Sequence, residues 1–315
     1  MAIHSDLDLA FALSDRGNAQ NEDFACVGRV DGTGPGSPEG LFGVLLDGAT
    51  GLFKTQLFPD GYRSDAQWLS HMAGGLIARG LRAGEAVEDV LAATAAELRR
   101  RVCDAAGMPF ERVDPDDVPS CTLSIALVRD GVVRAWALGD SSVVISRRTG
   151  DPIVLQDERL IELDEGLLRL MVERSGREAK RLGRALTVPE RRELVMHEQR
   201  ENRRQRNVPG GYWIFDPAGE GLGHLMSAEL SASEVRFVSA FSDGFFAADE
   251  RYGILPLARG AAALTPEAAL AAIDRMRVLE ADDAGLTRFP RLKAGDDASL
   301  FQIAVGVADS SGATA

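Results

Sequence analysis

The chain repeatedly runs an apolar, strand-length segment into an aspartate beside a glycine. The segments are LFGVLLDG (41–48), WALGD (136–140), RFVSAFSDG (236–244) and, in mirror order, GDDASLFQIAV (295–305). Continuous apolar runs of this length predict strands covered on both faces. An acid at the end of such a strand is costly unless it reaches water or a partner of opposite charge. One Asp-Gly pair alone is an ordinary turn. Four acids in the same layout predict that Asp47, Asp243, Asp296 and their neighbours meet at one place, where hard divalent cations would find oxygen ligands. Asp140 reads as the residue that fixes a turn.

The rest of the chain fits a sheet-based frame. Strand-like segments lie at 7–15, 23–30, 120–128, 132–140 and 141–147. The Arg129-Asp130-Gly131 turn between two of them is a hairpin signal. Hairpin connections argue for antiparallel pairing and an α+β fold rather than a doubly wound parallel sheet. Helical periodicity falls at 65–81, at 86–107, where Val87, Val90, Leu91, Thr94, Leu98 and Val102 share a face, and at 266–282. The segment GGYWIFDP (210–217) reads as a further strand, DGTGPGSPEG (31–40) as a loop and DSSGATA (309–315) as a frayed tail.

Composition narrows the function classes. The net charge is −13, which argues against general nucleic-acid binding. No run has the length of a membrane span, and the first fifteen residues carry acids within their apolar stretch, unlike a secretory signal. Three cysteines without metal-ligand spacing fit a reduced, cytoplasmic setting. The four histidines are scattered, so zinc is not expected. Eleven basic residues crowd between Arg174 and Arg206. Two readings of that run carry equal weight. It could dock an acidic or phosphorylated partner, or it is a solvated helix whose arginines pair with Glu173, Glu178, Glu190, Glu193 and Glu198.

Taken in order, SDRGNAQNEDF, LFGVLLDGATG, DVPSCTLSIALV, VRAWALGDSSVVI, VSAFSDGFF and GDDASLFQIAV resemble the motifs of the metal-dependent protein phosphatase family, protein phosphatase 2C, in its bacterial form. The resemblance spans roughly residues 7 to 307. It implies a single domain over 1–315 with a four-layer α/β/β/α sandwich and a divergent flap or insert at 147–235. It implies a serine/threonine protein phosphatase acting on phosphoproteins through a hydroxide that bridges two Mg²⁺ or Mn²⁺ ions, with a third, weaker ion in some members. Asp47 and the Gly48 carbonyl resemble ligands of that pair, as do Asp243 and Asp296. Asp23 resembles the acid that acts through water, with Glu22 beside it, and Asp117 the acid of the third ion.

The pattern departs from the family in three places. Asn18 stands where many members have a phosphate-binding arginine, which leaves Arg16 as the nearby substitute. Ala49 stands where many eukaryotic members carry a histidine. The flap motif is replaced by the arginine-rich segment. These departures keep open a second reading: a catalytically impaired pseudophosphatase serving as a regulatory binding module.

Overall fold

The computed structural model describes residues 2–7 (backbone only), 10–17, 19–31, 40–49, 56–258 and 263–306. Asn18, most of the 31–40 loop and the 309–315 tail lie outside the described residues.

Eleven strands and seven α-helices are present among these residues. The strands are β1 (Ala2–Leu7), β2 (Ala10–Asp15), β3 (Asp23–Val30), β4 (Gly40–Asp47), β5 (Leu123–Arg129), β6 (Val132–Leu138), β7 (Ser142–Arg147), β8 (Ile153–Leu155), β9 (Met226–Ser231), β10 (Val235–Phe241) and β11 (Ala298–Ala304). The helices are α1 (Asp65–Arg82), α2 (Val87–Ala106), α3 (Glu158–Leu182), α4 (Val188–Glu193), α5 (Met196–Arg203), α6 (Asp243–Glu250) and α7 (Pro266–Asp282). One sheet has the order β1-β2-β11-β10-β7-β8 and the other β3-β4-β5-β6-β9. All pairings are antiparallel.

Three apolar layers hold the stack. Phe42, Val44 and Leu46 of β4 pack with Trp68, Leu69 and Ile77 of α1 and Leu91 and Leu98 of α2. Leu45, on the other face of the same strand, packs with Ala126, Ala135, Val238, Phe301 and Ile303 between the sheets. Leu13, Phe241, Phe245, Ile273 and Met276 join the second sheet to α6 and α7. The order of layers is therefore α/β/β/α. The run LFGVLL is apolar throughout because β4 is central in its sheet and covered on both sides. The β5–β6 hairpin turns as its sequence requires: Asp130 and Gly131 have φ of 56° and 73°, the left-handed pair of a tight hairpin.

The 147–235 segment differs from its sequence reading. GGYWIFDP is not a strand; Tyr212 and Phe215 make single bridges, to Arg206 and Cys121. The strands of this region are β8, which pairs with β7, and β9, which pairs with β6; each is a sheet edge. The burial of β9 alternates residue by residue, the pattern of a half-covered edge strand, and Met226, Ala228 and Leu230 supply only a short apolar face. The run YWIF of 212–215 reads as a strand because it is apolar, yet Gly210, Gly211 and Pro217 frame it as a folded loop. Among the described residues, no helix is long and apolar enough to cross a membrane.

Candidate active site

Antiparallel register gathers the acids. Asp23 opens β3 and Asp47 closes β4, and the two residues face each other in the ladder. Leu138 at the end of β6 pairs with Leu123 at the start of β5, so Asp140 follows at the same end. In the second sheet, Phe241 of β10 pairs with Ser142 of β7 and Leu300 of β11. Asp243 just beyond β10 and Asp296 just before β11 therefore emerge together.

Two glycines allow the backbones to close in. A Cβ on Gly17 would lie 1.9 Å from the Asp296 carbonyl oxygen, and one on Gly244 would lie 2.0 Å from that of Asp297. The second carboxylate of the Asp296-Asp297 pair is structural. Asp297 accepts from Gly17 N at 2.9 Å and Glu22 N at 2.7 Å, pinning the β2–β3 connection to β11. Asp47 is fixed through its backbone: its N–H donates to Thr122 Oγ1 at 3.2 Å and its carbonyl accepts from Thr122 N at 2.9 Å.

The result is a cleft of about 530 Å³ whose lining includes Asp47, Gly48, Asp140, Asp164, Asp243 and Asp296, with Arg203 and Lys293 as cations. Asp23, paired with Asp47 in the ladder, is 2% exposed, and its Oδ2 has no hydrogen-bond partner among the described residues. The carboxylates strain against one another. Burial, then the charges of Asp23, Asp243, Asp296 and Asp140, holds the Asp47 carboxyl well above the usual carboxylate range. Burial and the charge of Asp297 do the same to Asp23. Burial, Asp243 and Asp164 do so to Asp140. Asp296 and Asp164 are each pushed up to about 6, first by burial, with Lys293 pulling Asp296 back down.

An unshared buried oxygen and five mutually repelling carboxylates fit, in kind, a hard divalent cation. In arrangement they are one step short. Among the described residues, no three His, Cys, Asp or Glu side chains are drawn together as a ready metal cage. Instead Lys293 Nζ donates to Asp296 Oδ1 at 2.8 Å.

Of the residues singled out from sequence, Asp47, Gly48, Asp243 and Asp296 line the cleft, and Asp23 pairs with Asp47 in the ladder. Glu22, Arg16 and Asp117 do not line it. Glu22 is buried, and its carboxylate accepts from Ser64 Oγ at 2.5 Å at the start of α1. Arg16 is exposed on the β2–β3 connection. Asp117 ends a short 3₁₀ turn and faces Asp65 electrostatically.

Among the charged lining residues that sequence reading did not assign to the site are Asp140, which it read as a turn residue, and Asp164, Arg203 and Lys293. Asp140 carried a signal, since WALGD repeats the strand-then-acid layout. Asp164 and Arg203 lie on α3 and α5 of the insert, where no motif marks them. Lys293 sits three residues before Asp296 in LKAGD. Five of the eleven basic residues of the arginine-rich run, Arg174, Arg177, Arg181, Arg184 and Arg204, pair with acids of the same segment, Glu198, Glu173, Glu178, Glu190 and Glu201. Arg206 donates to the carbonyls of Val118 and Pro115.

No family model matches the sequence, and no curated protein matches it. Solved structures do resemble it. Serine/threonine phosphatase Stp1 from Staphylococcus aureus is 15% identical, with a TM-score of 0.52 over 98% of this chain and 98% of that one. A bacterial serine phosphatase is also 15% identical, with a TM-score of 0.50 over 94% of this chain and 97% of its own. At this identity the likeness is one of fold: the chain has the four-layer sandwich of these bacterial phosphatases along nearly its whole length.

Proposed function

We propose that the chain is a metal-dependent serine/threonine protein phosphatase of the protein phosphatase 2C type, hydrolysing phosphomonoesters on proteins in a cytoplasmic signalling system. The observation that carries this reading is the meeting of Asp47, Asp243 and Asp296, from three distant parts of the chain, in one cleft. That they meet in a fold shared with bacterial phosphatases adds support.

Asp23, Asp47, Asp243, Asp296 and the Gly48 carbonyl would hold Mg²⁺ or Mn²⁺. Such ions, when bound, offset charge on phosphate oxygens and make water acidic enough to serve as a nucleophile near neutral pH. The protein's own share is positional. Thr122 and the β3–β4 ladder hold Asp47 in place. Arg203, on α5 of the insert, contributes positive charge to the cleft lining, where it could meet a phosphate. Leu160, Ile161 and Leu168 of α3 give the same wall an apolar strip that limits water around the reacting group. Ala49 cannot donate a proton, so water or another group must protonate the leaving oxygen, at some cost in rate.

The test is hydrolysis of p-nitrophenyl phosphate and of a phosphothreonine peptide with Mn²⁺, with and without EDTA. Turnover should require the metal. Asp47→Asn and Asp243→Asn should each lower kcat by about 100-fold or more, several kcal/mol of transition-state stabilisation. Full turnover in either variant sinks the proposal. A folded protein that never turns over would leave the binding-module reading.

A further inference from the structure

One side chain in the cleft is out of place for a cation-binding site. Lys293 points its ammonium at Asp296 Oδ1, 2.8 Å away. The same oxygen also accepts from Asp297 N at 3.0 Å. Both partners keep between a quarter and a third of their side-chain surface open to the cleft.

The lysine is not a loose surface arm that happens to reach inward. Its neighbours on both sides are anchored. Arg291, 3% exposed, bonds Asp283 Oδ2 and the carbonyls of Phe289 and Ala294. Leu292 packs against Leu167, Met171 and Val195 of the insert. Beyond it, the Asp296 carbonyl accepts from Arg277 of α7 at 2.7 Å. The backbone on each side of Lys293 is thus fixed, and its side chain is presented to the acids.

Resting on the phosphatase reading, we propose that the Lys293 ammonium is a built-in cation of the carboxylate cluster and competes with a divalent ion for Asp296. A tethered ammonium stabilises the crowded carboxylates without any metal. It then sets a threshold: an ion that takes Asp296 must first displace Lys293. Full metal loading belongs to high ion concentration, and removing the lysine charge should lower that threshold.

The experiment is isothermal titration of MnCl₂ into the EDTA-stripped full-length protein, comparing wild type with Lys293→Met, Lys293→Gln and Lys293→Arg. Circular dichroism checks that each variant is folded. The methionine and glutamine variants should bind Mn²⁺ about ten-fold tighter, or take up one more ion per chain. The arginine variant, which keeps the charge, should stay near wild type. The stripped methionine variant should also melt below the stripped wild type and recover when Mn²⁺ is added. Equal affinity and stoichiometry in wild type and in the methionine and glutamine variants overturns the role of Lys293 while leaving the metal reading intact. Absence of Mn²⁺ binding in every folded protein overturns both. Binding confined to the variants that lack the lysine charge supports the competition in its strongest form.

Discussion

At the residue scale, the glycines beside the acids are as informative as the acids. In the sequence, Asp-Gly and Gly-Asp read first as turns, and only their repetition suggested a common meeting place. The structure gives Gly244 a second reason: a side chain there would collide with the Asp297 carbonyl, so β10 and β11 could not deliver Asp243 and Asp296 at the same height. Gly244→Ala is therefore expected to cost about 1–3 kcal/mol, the range for forcing atoms into a packed site. It should also weaken Mn²⁺ binding. Urea unfolding and metal titration on the same sample check both effects; an unchanged urea midpoint would show that the backbones can part freely. Only the family resemblance singled out Asp296; local pattern alone does not separate it from Asp297, since both precede the same strand. The division comes from hydrogen bonds to Gly17 and Glu22 from far along the chain, which local pattern cannot reveal. Glu22 illustrates the reverse. Its neighbourhood marks it by motif, while its carboxylate is turned to Ser64 and the start of α1.

At the element scale, strands β2 to β7, β10 and β11 and helices α1, α2 and α7 were legible because burial on one or both faces imposes a period, whereas β8, β9 and α6 were not. The connection from α7 to β11 was not, because it has no period. Asp283 organises it: its carboxylate accepts from the N–H groups of Thr287, Arg288 and Phe289 at 2.9–3.1 Å and from Arg291 at 2.9 Å. Burial raises the Asp283 pKa, but these donors together hold it well below the ordinary aspartate range. An Asp held low in the folded state stabilises that state fully above its unfolded value, about 3.9. That contribution is lost as pH falls through the unfolded value toward the lower folded one. The 283–297 connection should accordingly loosen below about pH 4, read by hydrogen exchange in peptides covering 284–296. Asp283→Ala leaves a buried guanidinium without its acid and should destabilise by about 3–5 kcal/mol. Because Lys293 and Asp296 lie on this connection, the variant should disturb metal binding even where the sandwich survives. A variant as stable as wild type would mean that Arg291 finds another partner.

At the scale of the whole molecule, the sandwich and the insert are built on separate cores. The three sandwich layers are large and continuous. The insert rests on a small cluster of Leu167, Met171 and Val195, helped by Leu168, Leu170 and Leu292. Its other faces are covered by arginine–glutamate pairs that are mostly exposed and contribute little each. This explains why the sequence was silent on its role. An arginine-dense helix with a narrow apolar stripe looks the same whether it floats in solvent or walls a cleft; long-range contacts such as that of Leu292 with α3 decide. It also predicts uneven stability. Leu167→Ala opens a cavity in the small cluster and should cost about 2–5 kcal/mol there, more than so slight a core can absorb. Amide exchange should accelerate across α3 and α5 while β4 and β10 remain protected, since local opening need not involve the sandwich. Turnover should fall with it, through a raised KM, because Arg203 and the apolar strip of α3 would no longer be held against the carboxylates. If exchange instead rose equally in β4 and β10, the insert and the sandwich would be one cooperative unit, and the wall of the cleft would owe its position to the sheets rather than to its own few leucines.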